Sequence, residues 1–446
     1  MKPGLKFQPG SALAYGDSTY IKRRFQFFGS MEDYSLRAMD QDGRDIVICG
    51  PRQVGKSSLL AWLSAILKND RGYATATVDM MGLSDSNLNE TQWLDRFWSI
   101  LIQQLGDDVE RDMNVPAPTL IVDLSDHLRQ LTRFVRSNRI SIFFDEADVL
   151  PSHILAPFYK QIRTIVNQRM ISGDAALAKY RFAYAGVFEP ESLLERQATS
   201  PFNVAITIWV DDFSFEETHS LITLLAQKHG IVFREEIAPD IYAWTDGHPF
   251  LVQCVASIFD DALESGHKPE DIQTEFVDQV IAFIVNHNGK NLLNPIRNEV
   301  VGWATNNHRR KLLADLIKGE ERLGPGTHLS KLRLLGAIKQ KNGHWQIRNR
   351  LVSQMLAHEF VEDWPNDPLK INQELHALML QFFNAEDVRT LCFKLDVSYD
   401  AILGEALDGK IRELILYLQR KNRLPELIES LKIERPLVNW PSVKSE

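Results

Sequence analysis

The stretch Cys49-Gly50-Pro51-Arg52-Gln53-Val54-Gly55-Lys56-Ser57-Ser58 constrains this chain most. It fits G-x-x-x-x-G-K-[ST], the phosphate-binding P-loop, with Gly50, Gly55, Lys56 and Ser57 in register. Asp45 to Cys49 is a short apolar run that reads as a buried parallel strand. Ser57 to Leu63 opens a helix with apolar residues at helical spacing. The alternative is a chance match in a glycine-containing turn, and the flanking strand and helix argue against it. The two glycines let the backbone turn back and aim several N–H groups at one point, at a helix N-terminus. A side chain at Gly55 would obstruct that approach. Lys56 is a point charge for β- and γ-phosphates, and the Ser57 hydroxyl is a magnesium ligand. The ten residues from Cys49 to Ser58 therefore predict an ATP or ADP site with Mg2+.

A chain of 446 residues predicts about two to four domains. Its hydrophobic content of 44% is that of a globular protein. No run of eighteen apolar residues exists, so no transmembrane helix is expected. The first residues lack the apolar core of a signal peptide. Cys49, Cys254 and Cys392 are far apart, without metal spacing, and read as reduced core residues of a cytoplasmic protein. A net charge of −9 argues against the whole molecule coating nucleic acid.

Residues 1–43 are a lead-in. Tyr20-Ile21-Lys22-Arg23 precedes a helical stretch from Met31 to Met39. Tyr20 and Arg23 are candidates to close over a nucleotide base, or they simply pack as a lead-in strand; residue type leaves both readings open. Residues 44–212 read as a parallel α/β sheet. Its strands are Asp45–Cys49, Tyr73–Asp79, Ile140–Glu146, Arg181–Val187 and Val204–Val210, with helices expected at Thr91–Leu105 and Leu120–Val135.

Ile140-Ser141-Ile142-Phe143-Phe144-Asp145-Glu146 is the second decisive stretch: a buried strand ending in two carboxylates. Downstream of a P-loop, Asp145 is the residue to hold magnesium, usually through water. Glu146 is the candidate general base for the attacking water, with Lys56 the other catalytic candidate. The acidic strand comes only after an intervening one, which suits the additional-strand, AAA+-like class of P-loop ATPase cores.

Residues 213–266 turn helical. Ser214-Phe215-Glu216-Glu217 is a capping box, and Gly247-His248-Pro249 breaks the chain before a further helix. Pro249 suits a helix start, where its missing N–H costs nothing. Over 267–362, helices give way to a hairpin with Leu334–Lys339 and His344–Ile347 around a turn at Asn342-Gly343, then a helix from Leu351 to Phe360. That order reads as a winged helix. From Lys290 to Phe360 there are 13 Lys or Arg and 5 Asp or Glu, a balance of 13 − 5 = +8 and a nucleic-acid cue. Trp345 and Ile347 also suit a packed core, and internal packing is the reading we favour for this module.

Trp364 to Pro368 is a Pro-containing linker. Residues 369–446 read as a small all-α domain with helices near 371–383, 386–395, 399–405, 408–420 and 425–433. Its expected core is Leu378, Phe382, Leu391, Phe393, Ile411, Leu414 and Leu418.

Residues 20–360 resemble the AAA-like ATPase domain of bacterial STAND regulators, nucleotide switches of signal transduction. The matching pieces are Tyr20 to Arg23, Pro51 to Ser58, Phe143 to Asp148, Ser200 to Asn203, Trp244 to Phe250 and Arg348-Asn349-Arg350. The resemblance implies that Pro249 packs on the adenine. It also implies a phosphate-sensing residue after the wing, where this chain has Arg348-Asn349-Arg350, with Arg350 the candidate. The fourth strand ends Ala185-Gly186-Val187 without the polar sensor of AAA+ motors, which implies slow hydrolysis. Leu391 to Tyr399, Lys410 to Leu414 and Leu416 to Leu427 are similar to bacterial effector-associated domains of death-like fold. Such domains recruit a separate effector carrying a like domain.

The expectation is thus an ATP-dependent switch in bacterial defence or regulated cell death, a homo-oligomer in one nucleotide state. The rivals are a DNA-binding winged-helix ATPase or transcriptional regulator, and a scaffold whose ATP is structural. No membrane partner is expected.

Overall fold

The structure, a computed structural model, describes residues 7 and 12–441, apart from 14–15, 26–28, 191–192, 194–199, 269–271, 273, 285–288, 306, 320–326, 342, 361–367, 401, 403, 405, 422, 437 and 439. The expected linker from Trp364 therefore lies outside the described residues, except for Pro368. So does Asn342 of the hairpin turn.

The chain runs α1 (Met31–Asp40), β1 (Ile46–Cys49), α2 (Lys56–Arg71), β2 (Ala74–Asp79), α3 (Glu90–Leu105), α4 (Leu124–Leu131), β3 (Ile140–Asp145), α5 (Ser152–Met170), β4 (Tyr180–Gly186) and β5 (Ile206–Trp209). The strands form one five-stranded sheet in the order β2-β3-β4-β1-β5, and every neighbouring pair is parallel. β4 lies between the P-loop strand and the acidic strand, which is the additional-strand arrangement. Cys49 stands opposite Gly186 and Trp209, and Asp79 opposite Asp145. The carboxyl ends of all five strands thus share one edge, where ligands of open α/β sheets bind.

Both sheet faces are covered, which is why β1 reads as continuous apolar sequence and is buried along its whole length. One face packs Trp93, Phe97, Phe144, Phe158 and Phe182, with Trp93 stacked on Phe97 at 5.4 Å. The other face packs Met39, Leu63, Phe143 and Ala185. The base of β1 is pinned by a buried pair, Arg169 Nη2 to Asp45 Oδ2 at 2.7 Å.

The expected helix over 120–135 is shorter. A 3-10 turn, Ile121–Asp123, leads into α4, which stops at Leu131. The reason is tertiary: Val135 bridges Val109, and Phe134 offers its carbonyl to Glu110 N at 2.8 Å, so the chain leaves the helix early.

Helices follow: α6 (Phe215–His229), α7 (Ile237–Thr245), α8 (Pro249–Glu264), α9 (Thr274–Phe283), α10 (Gly289–Trp303), α11 (Asn307–Ile317) and α12 (Thr327–Leu334). The capping box of α6 is present: Ser214 Oγ accepts from Glu217 N, and Glu217 Oε2 from Ser214 N. Then come β6 (Ile338–Lys341) antiparallel to β7 (His344–Ile347), and α13 (Arg350–Phe360). The first hairpin strand begins later than Leu334. Gly336 turns the chain at φ +79°, and a Cβ there would stand 2.7 Å from Arg348 Nη1.

The chain divides into two compact units, residues 1–305 with 319–352, and residues 306–318 with 353–446. The second contains α14 (Pro368–Phe382), α15 (Ala385–Lys394), α16 (Leu407–Arg420) and α17 (Leu424–Glu434) around Leu375, Met379, Leu391, Cys392, Ile411, Leu414, Leu418, Leu427 and Leu431. Two expected core residues are outside: Phe393 is 87% exposed and Phe382 38%. Val388, Leu391, Cys392 and Leu395 make the buried stripe of α15, and Phe393 falls off it. Phe383, against Trp440, takes the place expected of Phe382.

The expected helix at 399–405 is absent among the described residues. Tyr399 lies in a turn, and its carbonyl accepts from Lys410 Nζ at 3.1 Å. Gly404 sits at φ +107°, against Gly409, so a helix cannot run through it. The three cysteines are buried, and none is in a disulfide. Among the described residues no helix is long and apolar enough to cross a membrane.

Candidate functional site

The turn between β1 and α2 is shaped by three residues at positive φ: Gly50 (+151°), Gln53 (+61°) and Gly55 (+95°). Such alternation concentrates backbone N–H groups into an anion-binding concavity. A Cβ on Gly50 would lie 2.4 Å from the Val210 carbonyl, so glycine is required there. Gly55 is the N-cap of α2 and provides no capping side chain, leaving the first N–H groups of the helix free for a phosphate.

Lys56 is buried, and its Nζ donates to Pro51 O at 2.7 Å. Burial lowers its pKa to about 8, against the pull of Glu146, Asp148 and Asp145. Ser57 Oγ donates to Asp145 Oδ1 at 3.1 Å. That is a hydroxyl and a carboxylate side by side, the donor set magnesium takes when it keeps most of its waters. Among the described residues there is no group of three or more metal-ligating side chains. The residues present therefore fit a nucleotide-held magnesium ion, with Ser57 and Asp145 to hold it. Bound there, the ion would neutralise phosphate charge.

Glu146 follows β3 at φ +51°, a sparsely populated region for a side chain of this size. Burial raises the pKa of both Asp145 and Glu146; the Ser57 hydrogen bond then opposes this at Asp145 and the Lys56 charge at Glu146.

A cavity of about 440 Å³ unites most of the expected residues. Arg52, Gln53, Gly55, Lys56, Ser57, Ser58 and Glu146 line it, together with Tyr20, Arg23 and Pro249. Gly50, Pro51 and Val54 shape the loop behind it without lining it, and Asp145 stands behind Ser57. The Ser58 hydroxyl is engaged elsewhere, accepting from Leu13 N at 3.0 Å. Arg52 is paired with Glu299 of α10 at 3.1 Å.

Of the two readings of the lead-in, packing is what the contacts show. Arg23 is a packed residue: its guanidinium donates to the Asp211 and Val54 carbonyls and lies 4.6 Å from the Phe213 ring centroid. Tyr20 donates to buried Glu32 at 2.8 Å. Both nevertheless form cavity wall. Pro249 is the first residue of α8, as expected of a helix start, and it also lines the cavity. Gly247 makes that placement feasible: a Cβ there would lie 2.0 Å from the Phe213 carbonyl.

Arg350, the expected sensor, is elsewhere; its guanidinium lies 3.9 Å from the Trp244 ring centroid. Its neighbour Arg348 is the connected one. Fully buried, it gives Asp212 two hydrogen bonds, Nη2 to Oδ1 at 2.5 Å and Nε to Oδ2 at 3.3 Å. Lys339 adds Nζ to Asp212 Oδ2 at 3.2 Å and to Asp246 Oδ2 at 2.8 Å. Burial pushes the Asp212 carboxyl up, but Arg348, His248 and Lys339 together hold it below the usual range. Sequence reasoning missed Asp212; the one signal was an acid between the last strand and a capping box.

His248, the N-cap of α8, is buried beside this cluster, and burial with the Arg348 charge lowers its pKa to about 3. The unfolded chain binds this proton below about 6.5 and the folded chain does not. The stability present above 6.5 is therefore lost as pH falls toward 3, at about 1.4 kcal/mol per unit. Urea denaturation at pH 6.5 and 5 should find that His248→Gln loses about 2 kcal/mol less than the parent across that window. Equal losses would remove His248 from the account.

The family described as AAA-like domain matches residues 9–268, and that described as effector-associated domain 7 matches residues 375–436. An uncharacterized WD repeat-containing protein of Synechocystis sp. is 27% identical over 291 residues, 63% of this chain and 23% of that protein, so the match spans about a quarter of the relative's length. Among solved structures, a Walker-type ATPase of Pyrococcus abyssi is 17% identical with a TM-score of 0.48, covering 75% of this chain and 97% of its own. The ORC2 protein of Aeropyrum pernix is 14% identical with a TM-score of 0.44, covering 78% and 98%. The RuvB Holliday junction branch migration motor of Thermotoga maritima is 14% identical with a TM-score of 0.39, covering 73% and 92%. With a P-loop at the β1–α2 turn, β4 between the P-loop and acidic strands, and more than half its length matched, the chain belongs to the AAA-like domain family of P-loop ATPases and carries an effector-associated domain at its C-terminus.

Proposed function

We propose that this chain is an ATP-dependent STAND-type switch. ATP and ADP occupy the cavity with magnesium at Ser57 and Asp145, and slow hydrolysis with Glu146 as base resets the switch. The observation that carries this reading is the origin of the cavity wall. One pocket collects the P-loop, the acidic strand end, the lead-in segment, Pro249 and Phe250 of α8, and Ile296 of α10. A nucleotide there touches several segments at once, so its occupancy can bias how they are arranged. A ligand shifts such an equilibrium only by its differential affinity for the arrangements.

In this reading the ATP form assembles into homo-oligomers, and the C-terminal helical domain gathers an effector carrying a like domain, in a defence or cell-death response. The rival reading, DNA binding through the +8 segment, has less to draw on. Lys339, Lys341 and Arg348 are ion-paired with Asp212 or Asp246, and Arg333 and Arg350 lie on the rings of Trp209 and Trp244.

The test is Lys56→Ala, assayed by calorimetric titration with ATP. Loss of a charge-assisted phosphate contact should weaken binding by roughly a hundredfold, about 3 kcal/mol. In the parent, affinity should fall as pH rises past 8. Lys56 without ligand loses its proton near there, and phosphate must recruit it back. ATP bound equally by Lys56→Ala and the parent would refute the site.

A further inference from the structure

We propose that Asp148 sets the preference of this site for a nucleoside diphosphate over a triphosphate. The inference rests on the nucleotide-switch reading and concerns how its resting state is chosen. β4 lies between β1 and β3, with Gly186 opposite Cys49. A side chain at the end of β4 therefore stands between the P-loop and the acidic strand end. Gly186 places no side chain there. A Cβ on it would lie 2.3 Å from Asp148 Oδ1 and 2.7 Å from the Phe188 ring. The space belongs to the Asp148 carboxylate, which reaches across from the chain after β3.

Asp148 is fixed in that place. Its Oδ1 accepts from Val187 N at 2.9 Å, and the adjacent Ala147 N donates to Ala185 O at 2.8 Å. These bonds tie the segment after β3 to the end of β4. Asp148 lines the cavity beside Glu146, and its charge is felt at both Glu146 and Lys56. Among the described residues no cation pairs with it; Lys56, the nearest in effect, gives its hydrogen bond to Pro51 O.

The consequence is electrostatic. A triphosphate carries more negative charge than a diphosphate, and carries it on a further, terminal phosphate. A fixed carboxylate in the cavity wall beside Glu146 opposes that added charge. Asp148 thus weakens the triphosphate more than the diphosphate. The occupant of the β4 end is an acid where a neutral polar side chain would be indifferent to the difference.

The experiment measures dissociation constants of the full chain for ADP and for the non-hydrolysable analogue adenylyl imidodiphosphate, at one magnesium concentration. The variant is Asp148→Asn, which retains an oxygen to accept from Val187 N and removes the charge. The triphosphate-to-diphosphate affinity ratio should rise at least about tenfold, since a factor of ten needs only one well-placed charge contact of ordinary size. Both constants come from the same folded fraction, so partial misfolding leaves the ratio unaffected. Should the Asn variant not fold, Asp148→Ser removes the same charge and should move the ratio the same way. A ratio within about twofold of the parent, with ADP still bound, overturns the role of Asp148 and leaves the nucleotide reading standing. Parent protein that binds neither nucleotide overturns that reading, and this inference with it.

Discussion

Replacing Glu146 by Gln should leave ATP affinity within a few-fold of the parent while phosphate release slows by roughly 10²- to 10⁴-fold, the usual worth of a positioned base. The geometry separates the two effects. Among the described residues the Glu146 side chain makes no hydrogen bond to the P-loop backbone that a glutamine would break, and its two main-chain bonds, N–H to Asp145 Oδ1 at 3.1 Å and carbonyl from Val149 N at 3.2 Å, do not depend on the side chain. The carboxyl lines the cavity, and burial raises its pKa, which brings a carboxylate base nearer its working pH. Its φ of +51° is strain kept at the one position where the side chain must turn from the strand end toward the cavity. Glutamine has the same shape and cannot take the proton. Multiple-turnover phosphate release beside equilibrium ATP binding checks this, and a variant that releases phosphate at the parental rate would take the base role from Glu146. The same variant, held in its ATP form, should also shift the mass measured by light scattering if assembly follows ATP. Absence of turnover in the parent itself would favour ATP as a structural ligand.

Much of this site was legible because its chemistry is local in sequence. Gly50, Gly55, Lys56 and Ser57 belong to one turn, so a single motif names them all. Asp145 and Glu146 were legible because a buried strand that ends in two acids has few structural uses. The five parallel strands were legible too, since covered parallel strands read as apolar runs with helices between them.

What stayed hidden was contributed by contact across distance. Asp148 looks like one more acid after a strand; its role depends on the missing side chain of Gly186, some forty residues on, and on a register that places them together. Arg350 and Arg348 are two positions apart and chemically alike. Only the fold decides that the first stacks on Trp244 and the second ion-pairs with Asp212. In the helical tail Leu391 was read rightly as core, but Phe393 was placed in a core that Cys392 occupies. A single helical position is about 100° of rotation, enough to turn a core residue into a surface one. Among the described residues of 399–405 no helix forms, and the contact of Gly404 with Gly409 is again a tertiary one.

The Arg348–Asp212 pair gives the second large effect. Arg348 is buried and the Asp212 side chain only 11% exposed, so removing one partner strands a charge that its surroundings solvate poorly. Breaking a buried pair from one side typically costs about 3–5 kcal/mol. Arg348→Ala should sit near 3, because Lys339 Nζ remains 3.2 Å from Asp212 Oδ2 and offsets part of the loss. The damage should be uneven. Arg348 directly follows β7, and Asp212 follows β5, so the pair joins the β6–β7 hairpin to the end of the sheet. Hydrogen exchange should therefore quicken most in 338–347 while β1, β3 and β4 keep their protection. Removing both charges together, as Asp212→Ala with Arg348→Ala, should be less harmful than the sum of the single changes, since neither charge is then left alone. If the single variant melted like the parent and the hairpin amides stayed equally protected, the pair would be an ornament of the packing and the hairpin would be held by something else.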